Sequence, residues 1–286
     1  TPKTAVADVS TGFRQTQALG DYLVAGRDAR ALASGVAAAP RTGLFNVQPG
    51  SVLAKRAEYA NSRASQFFAA RDGAQVADAG RLSITAGTRL DLSGALMTAP
   101  ATGGRGAQLD IAAERLAVLG AGASAPGSDY VRLDVGRLAS LGAASLLLGG
   151  TRQQTGATDA LTVVAKDVVV DTAGELLAAP DLAVAAQQTV DVRAGSRLQG
   201  EGGSVAGRAL IVGEGGDGDG ALLRLAGQPT PRTTRVNVDR NRGDLTIAAG
   251  AQLAADGSIE LDATRDNDFN GTVQLGSGGT LAIAAG

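Results

Sequence analysis

The chain has 286 residues, with 26 Lys and Arg against 28 Asp and Glu, 41 Gly, no Cys, no His and no Trp. A formal charge of -2 offers no basic stripe for nucleic acid. The missing His and Cys exclude His-based triads, thiol nucleophiles, disulfides and Cys/His zinc centres, and aromatic residues at 3% leave little for a large aromatic core or a sugar-stacking cleft.

No run approaches the ~18 consecutive apolar residues of a membrane-spanning helix, so membrane insertion is not expected. The chain opens on Thr1-Pro2-Lys3 without a secretion signal. Residues 1–78 form a divergent N-terminal segment with a faint repeat pattern, seen in Tyr22-Leu23-Val24, Gly26-Arg27-Asp28 and Ala29 to Leu32, and it holds Phe13, Phe45, Phe67 and Phe68. Between Ser51 and Arg71 the apolar positions Val52, Leu53, Ala57, Ala60, Ala64, Phe67 and Phe68 fall near helical spacing, and Asp72-Gly73 supplies a stop. The expectation is a short helical or irregular excursion over residues 51–72.

From residue 79 the pattern changes to a repeat. Gly80 to Gly94 reads GRLSITAGTRLDLSG, and Gly243 to Gly257 reads GDLTIAAGAQLAADG. A further copy, GTLAIAAG, begins at Gly279, and a degenerate one, VDVRAGSRL, spans Val190 to Leu198. The last copy stops where its second strand should start, so the repeats of 79–286 are expected to continue beyond this fragment. Each apolar-x-apolar triplet puts two side chains on one face and reads as a short strand. Leu82/Ile84, Leu109/Ile111, Leu116/Val118, Leu161/Val163, Val168/Val170, Leu182/Val184, Val190/Val192, Leu245/Ile247, Ile259/Leu261 and Leu281/Ile283 all fit. Triplets recur seven or eight positions apart, as from 82 to 90, 109 to 116, 161 to 168 and 273 to 281. Consistent hairpin turns are missing, Asn270-Gly271 being the one Asn-Gly pair. The alternative is a chain that turns a corner after each strand and pairs with the turn below. Three strands make a coil of roughly 21–24 residues, with 161 to 182 as one step, and about 210 residues give about nine or ten coils, or about 45 Å. The expected fold is all-β, a parallel β-helix (solenoid). A β-sandwich is the rival, but its inner faces usually call for larger side chains.

Ala121–Ser128, Gly149–Thr158, Gly213–Gly220, Gln228–Arg242 and Thr264–Asn270 interrupt the repeat and read as corner excursions. Several carry motifs. In Gly213–Gly220 the run Gly-Glu-Gly-Gly-Asp-Gly-Asp-Gly is similar to a calcium-binding β-roll nonapeptide, with Asp217 and Asp219 as candidate ligands, although Gly220 stands where that repeat has Asp. Arg242-Gly243-Asp244 is an integrin-type tripeptide, and Gly243 also aligns with the corner glycines Gly80 and Gly279. Asp266-Asn267-Asp268 offers hard oxygen ligands without the spacing of a calcium loop. Asn270-Gly271-Thr272 matches a glycosylation sequon. Carboxylate pairs are the usual tools on glycosides. The candidates are Asp91, Asp110, Asp134, Asp167, Asp171, Asp191 and Asp262, of which Asp91, Asp110 and Asp134 lie between two apolar strand residues and are expected on a solvated outer face.

The stretch Gly80–Leu119, with residues 160–212 and 243–286, resembles the filamentous haemagglutinin-like exoproteins of Gram-negative two-partner secretion. The likeness lies in repeat style over about three quarters of the chain. It implies a right-handed parallel β-helix, export through an outer-membrane two-partner-secretion pore, and a secreted or cell-surface location. The secretion-domain motifs N-P-N-G and N-P-N-L are absent, which suits a central shaft or distal region. The expected function is the structural shaft of a filamentous adhesin serving attachment, biofilm formation or contact-dependent toxin delivery, with no enzymatic activity and no cofactor. Its expected partner is a glycan or protein on a host or neighbouring cell. The alternatives are a polysaccharide-active β-helix enzyme and a glycan- or receptor-binding module using the loops at 121–128 and 228–242.

Overall fold

The computed structural model describes residues 6–16, 20–28, 43–56, 78–203 and 205–285. The chain divides into two compact units, residues 1–73 and 74–286. The first holds an antiparallel meander of β1 (Val6–Thr16), β2 (Tyr22–Asp28) and β3 (Gly43–Val47), followed by a short helix α1 (Gly50–Arg56). Val24 and Val52 are buried in it, and Asn46 donates to the buried Asp21 at 3.0 Å. Tyr22-Leu23-Val24 therefore belongs to an antiparallel strand. The helical expectation holds for residues 50–56, while 57–77 and the faint pattern at Ala29 to Leu32 lie outside the described residues.

The second unit is all-β apart from one short helix. Its elements are β4 (Arg81–Thr85), β5 (Gln108–Ala112), β6 (Arg115–Leu119), β7 (Val131–Asp134), α2 (Val135–Ser140), β8 (Ser145–Leu148), β9 (Gly150–Thr155), β10 (Thr158–Val163), β11 (Asp167–Asp171) and β12 (Leu176–Ala179). They continue with β13 (Asp181–Ala186), β14 (Thr189–Val192), β15 (Arg197–Gly200), β16 (Ala209–Val212), β17 (Ala221–Ala226) and β18 (Thr234–Arg235). The last six are β19 (Asp244–Ile247), β20 (Gln252–Ala255), β21 (Ser258–Ala263), β22 (Asp266–Phe269), β23 (Thr272–Leu275) and β24 (Thr280–Ala285). They form four sheets: sheet I in the order β24-β21-β17-β13-β8-β5-β4, sheet II β22-β19-β14-β11-β6-β7, sheet III β12-β15-β20-β23, and sheet IV β18-β16-β10-β9.

The strands β11, β12 and β13 fall in sheets II, III and I, and β14 and β15 return to II and III. The same order recurs from β19 to β24. Val168 pairs in parallel with Val190, Leu177 with Leu198, Leu253 with Val273, Asp244 with Asp266 and Ser258 with Thr280, so one cycle takes 20 to 22 residues. This register stacks like on like. On sheet I, Leu82, Leu109, Leu146, Leu182, Leu225, Ile259 and Leu281 form one row of paired positions. The five inner members are at most 2% exposed, and only the end members rise, to 39% at Leu82 and 40% at Leu281. Sheet II adds Leu116, Val168, Val190 and Leu245, and sheet III Leu177, Leu198 and Leu253, to the same core. Each such side chain contributes roughly 1.5–3 kcal/mol when removed from water.

Several details differ from the expectation. Leu161/Val163 belong to β10 of sheet IV, so the step 161 to 182 is not one cycle; the cycle starts at Asp167. Gly149–Thr158 is not a loop but contains the hairpin β9–β10, whose two-residue turn places Gly156 first at φ +58°. Thr264–Asn270 contains strand β22. Residues 90–92 form no strand, and Leu90 and Leu92 lean half-buried on the core. Sheet I has seven levels, roughly 29 Å edge to edge at the usual strand spacing, fewer than nine or ten, because β9, β10, β16, β18 and their loops leave the cycle. β17 also runs antiparallel to both β13 and β21. The chain leaves β15 for sheet IV and re-enters sheet I at the far end, where Ala221 faces Ala186.

Sheet IV covers the outer face of sheet I. Leu147, Ala183, Ala185 and Leu222, which alternate with the core row, meet Leu161, Leu210 and Val212 in a second apolar cluster. This is why all six residues of β13, β17 and β21 are buried. Chemical denaturation of two substitutions in one row tests the stacking. Leu182→Ala should cost about 2–5 kcal/mol, and Leu281→Ala, at the open end, less than about 1 kcal/mol.

Candidate functional site

The outward positions of sheet I carry charge into the space beneath sheet IV. Asp110, expected on a solvated face, is 0% exposed. Its Oδ1 takes Arg152 Nη2 at 2.6 Å and Nε at 2.8 Å, and its Oδ2 takes the Arg152 backbone N–H at 2.7 Å. Alternation placed Asp110 outward correctly; what sequence reading missed is the strand lying over it. Arg152 also donates to Ser145 Oγ at 2.6 Å, and Ser145 donates to Asp181 at 2.9 Å. Arg224 closes on Asp181 with two bonds of 2.8 and 3.1 Å. Asp159 receives Arg208 and Arg81, and Asp262 receives Arg235 at 2.7 Å. Burial pushes the Asp181 carboxyl up, but the Arg224 charge and hydrogen bonds, with Arg152 and Ser145, outweigh it and hold the group below the usual carboxylate range. These groups neutralise one another: Arg224 and Asp181 pair within sheet I, while Arg152–Asp110, Arg81–Asp159 and Arg235–Asp262 clamp sheet IV to sheet I.

The Gly213–Gly220 loop places the two calcium candidates in different roles. Asp219 is 2% exposed and accepts the backbone N–H groups of Asp239, Arg240 and Asn241 at 3.0, 2.9 and 3.1 Å. Burial raises its pKa, and those N–H groups with the Arg242 charge lower it further, for a net depression. Its oxygens tie the 228–242 excursion to its neighbour. Asp217 turns instead to the Arg242 guanidinium and accepts the Asp219 N–H at 2.8 Å. The Arg242-Gly243-Asp244 tripeptide is likewise engaged. Arg242 pairs with Asp217, and Asp244 opens strand β19 and accepts Arg265 Nε at 2.7 Å. Gly243 sits at φ +102°, and a Cβ there would lie 2.4 Å from the Gly220 backbone. The tripeptide is a packed corner leading into a strand.

Among the described residues, no three acidic side chains converge as a metal-holding group. Asp91 is exposed, and Asp134 caps α2 by accepting the Arg137 N–H at 2.8 Å. Asp167 pairs with Arg115, while Asp171 and Asp191 share Arg193. Asp266 and Asp268 point away from Asn267, whose amide donates inward to the Leu261 and Ala284 carbonyls.

The described residues also frame open grooves, two of which bear on the clamp and on sheet III. One, about 440 Å³, lies among Thr98, Pro100, Arg105, Ser145, Asp181 and Arg208, where Ser145, Asp181 and Arg208 are already engaged in the buried clamp. The other, about 370 Å³, lies on the outer face of sheet III. Its polar rows are Arg197, Gln252 and Thr272, and Gln199 and Gln274. Sequence reading did not single these residues out. The only signal was a glutamine at the middle of the triplets Leu198-Gln199-Gly200 and Val273-Gln274-Leu275.

Comparison of the chain with protein-family models, curated proteins and solved structures finds no match to any.

Breaking the clamp on one side should cost far more than removing it. Arg152→Met leaves the Asp110 charge buried and should destabilise by about 3–5 kcal/mol, whereas the pair Asp110→Leu with Arg152→Leu should recover most of that loss in denaturant melts. Asp181 and Asp219 both have depressed carboxyls, so their stabilisation is present above the unfolded carboxylate pKa, about 3.9, and disappears as pH falls through the lower folded values. Unfolding free energy should therefore drop below about pH 4, and the drop should be shallower in Asp219→Asn.

Proposed function

We propose that residues 79–286 wind as a right-handed parallel β-helix and serve as the structural shaft of a secreted, cell-surface filamentous adhesin. The reading is carried by one observation, the sheet I row from Leu82 to Leu281, in which each level pairs only with the levels beside it. Such a stack gains stiffness from repetition and needs no distant contacts. The recurring order of sheets II, III and I at intervals of 20 to 22 residues supports the coil. Its handedness, its export through an outer-membrane two-partner-secretion pore and its surface location rest on the resemblance of Gly80–Leu119 to the exoprotein repeats. On this reading the role is mechanical rather than catalytic. The stack holds a binding or toxic region away from the producing cell, and the partner is a glycan or protein on a host or neighbouring cell.

Two measurements test it. Antibody raised against residues 79–286 should label intact producing cells or their medium; a signal confined to lysed cells refutes the adhesin role. Deleting residues 244–265, one full cycle, joins Gly243 to Asp266 and should leave a folded β protein shortened by about 4.8 Å in small-angle scattering. Loss of folding would refute the stacked-coil reading.

A further inference from the structure

Sheets I, II and III each turn alternate side chains outward, and the three outer faces end differently. The face of sheet I lies beneath sheet IV. On sheet II the outward acids are held by neighbouring arginines: Asp167 by Arg115, Asp171 and Asp191 by Arg193, Asp244 by Arg265. Sheet III has neither cover nor neutralisation. The Gln252 and Gln274 amides, the Thr272 hydroxyl and the Arg197 guanidinium make no hydrogen bond or ion pair among the described residues. Gln199 gives one N–H to Glu201 at 2.7 Å, and its carbonyl oxygen is unengaged among those residues. Ala254, between Gln199 and Gln274 in the same row, keeps the groove open between them.

From this contrast we infer that the outer face of sheet III binds a neutral, hydroxyl-rich polysaccharide lying across the strands, along the stack. A carboxamide presents donors and an acceptor side by side, which suits adjacent hydroxyls that both donate and accept. Gln199 and Gln274 stand two strands apart in one row, about 9.6 Å at the usual strand spacing, and Gln252 lies in the neighbouring row on the strand between them, so the three amides are spread along the stack where one extended sugar chain can meet them in turn. Arg197 and Asp256 both line the groove, and Glu201 beside it accepts from Gln199, so the face carries charges of both signs and no net positive field to select a polyanion. The inference needs only sheet III and stands apart from the adhesin reading.

Affinity electrophoresis of the intact chain tests it, with gels containing a neutral β-glucan, galactan or mannan, and separately polygalacturonate. At least one neutral polysaccharide should retard the protein. The double substitution Gln252→Ala with Gln274→Ala should weaken that retardation about tenfold or more, and Arg193→Ala on sheet II should leave it within about twofold. Both variants should keep the parent's unfolding temperature; Gln274→Ala alone, on the last strand of the sheet, serves if the double variant does not. Retardation by none of the neutral polysaccharides, or retardation that the glutamine substitutions leave unchanged, overturns the proposal. So does retention by polygalacturonate alone that Arg197→Ala abolishes, or glutamine-dependent capture of an unfolded polypeptide probe in place of a polysaccharide.

Discussion

Everything in the larger unit depends on equivalent side chains resting on one another from one level to the next. A strand of four residues has little stability alone. Here the inner strands are pinned on both sides, most by parallel pairing and β17 by antiparallel pairing, and the pairing keeps Leu, Ile or Val over Leu, Ile or Val. Any slip by one residue would turn the inner row outward, so the apolar alternation itself enforces the register. The row from Leu82 to Leu281 displays the consequence. Burial is complete wherever a level has two neighbours and fails only at the first and last.

That constraint also explains how the stack accepts insertions. The corners lie outside the row, so the chain can leave at one and return at another without disturbing it. It does so after β8, where β9 and β10 form a hairpin, and after β15, where β16 joins that hairpin before β17 re-enters sheet I in reverse. The reversed strand still places Leu223 and Leu225 in line with Val184 and Leu182, because antiparallel pairing preserves the alternation of faces. What accumulates outside is a fourth sheet. Its contact with sheet I buries charges that a bare coil would leave in water. Asp110 and Asp262 are tolerable there because Arg152 and Arg235 arrive with the added strands, and Asp181 because Arg224 of the adjoining sheet I strand β17 pairs with it.

The outer faces therefore have separate chemical characters although the repeat that builds them is nearly uniform. The first is sealed, the second neutralises itself, and the third keeps free amides over a shallow groove. Two corner loops engage acids in internal contacts. Asp219 ties two excursions together through three backbone N–H groups, and the Arg242-Gly243-Asp244 corner spends both of its charges on internal pairs. A loop surface held this way favours rigidity over display.

The amino-acid sequence by itself determined the all-β class, the short strands and the faces of their side chains. Alternation is local and survives in any β context, so Leu109 and Ile111 face the core and Asp110 faces away whatever lies beyond. The repeat motif did not say which sheet a copy joins. GRLSITAG supplies a strand of sheet I at Arg81–Thr85, while GDLTIAAG supplies one of sheet II at Asp244–Ile247. Sheets I and II ask for the same pattern, and only the position in the order of sheets separates them. Tertiary structure alone decided that Leu161 and Val163 leave the cycle, that β17 runs backward, and that Asp110 is buried against Arg152. Each of these depends on a strand brought from elsewhere in the chain, and the local pattern carries no record of what will cover it. Gln199 and Gln274 of sheet III were in plain view as the middle residues of their triplets. Their significance rests on the absence of a cover, which becomes known only when the path of the whole chain is known.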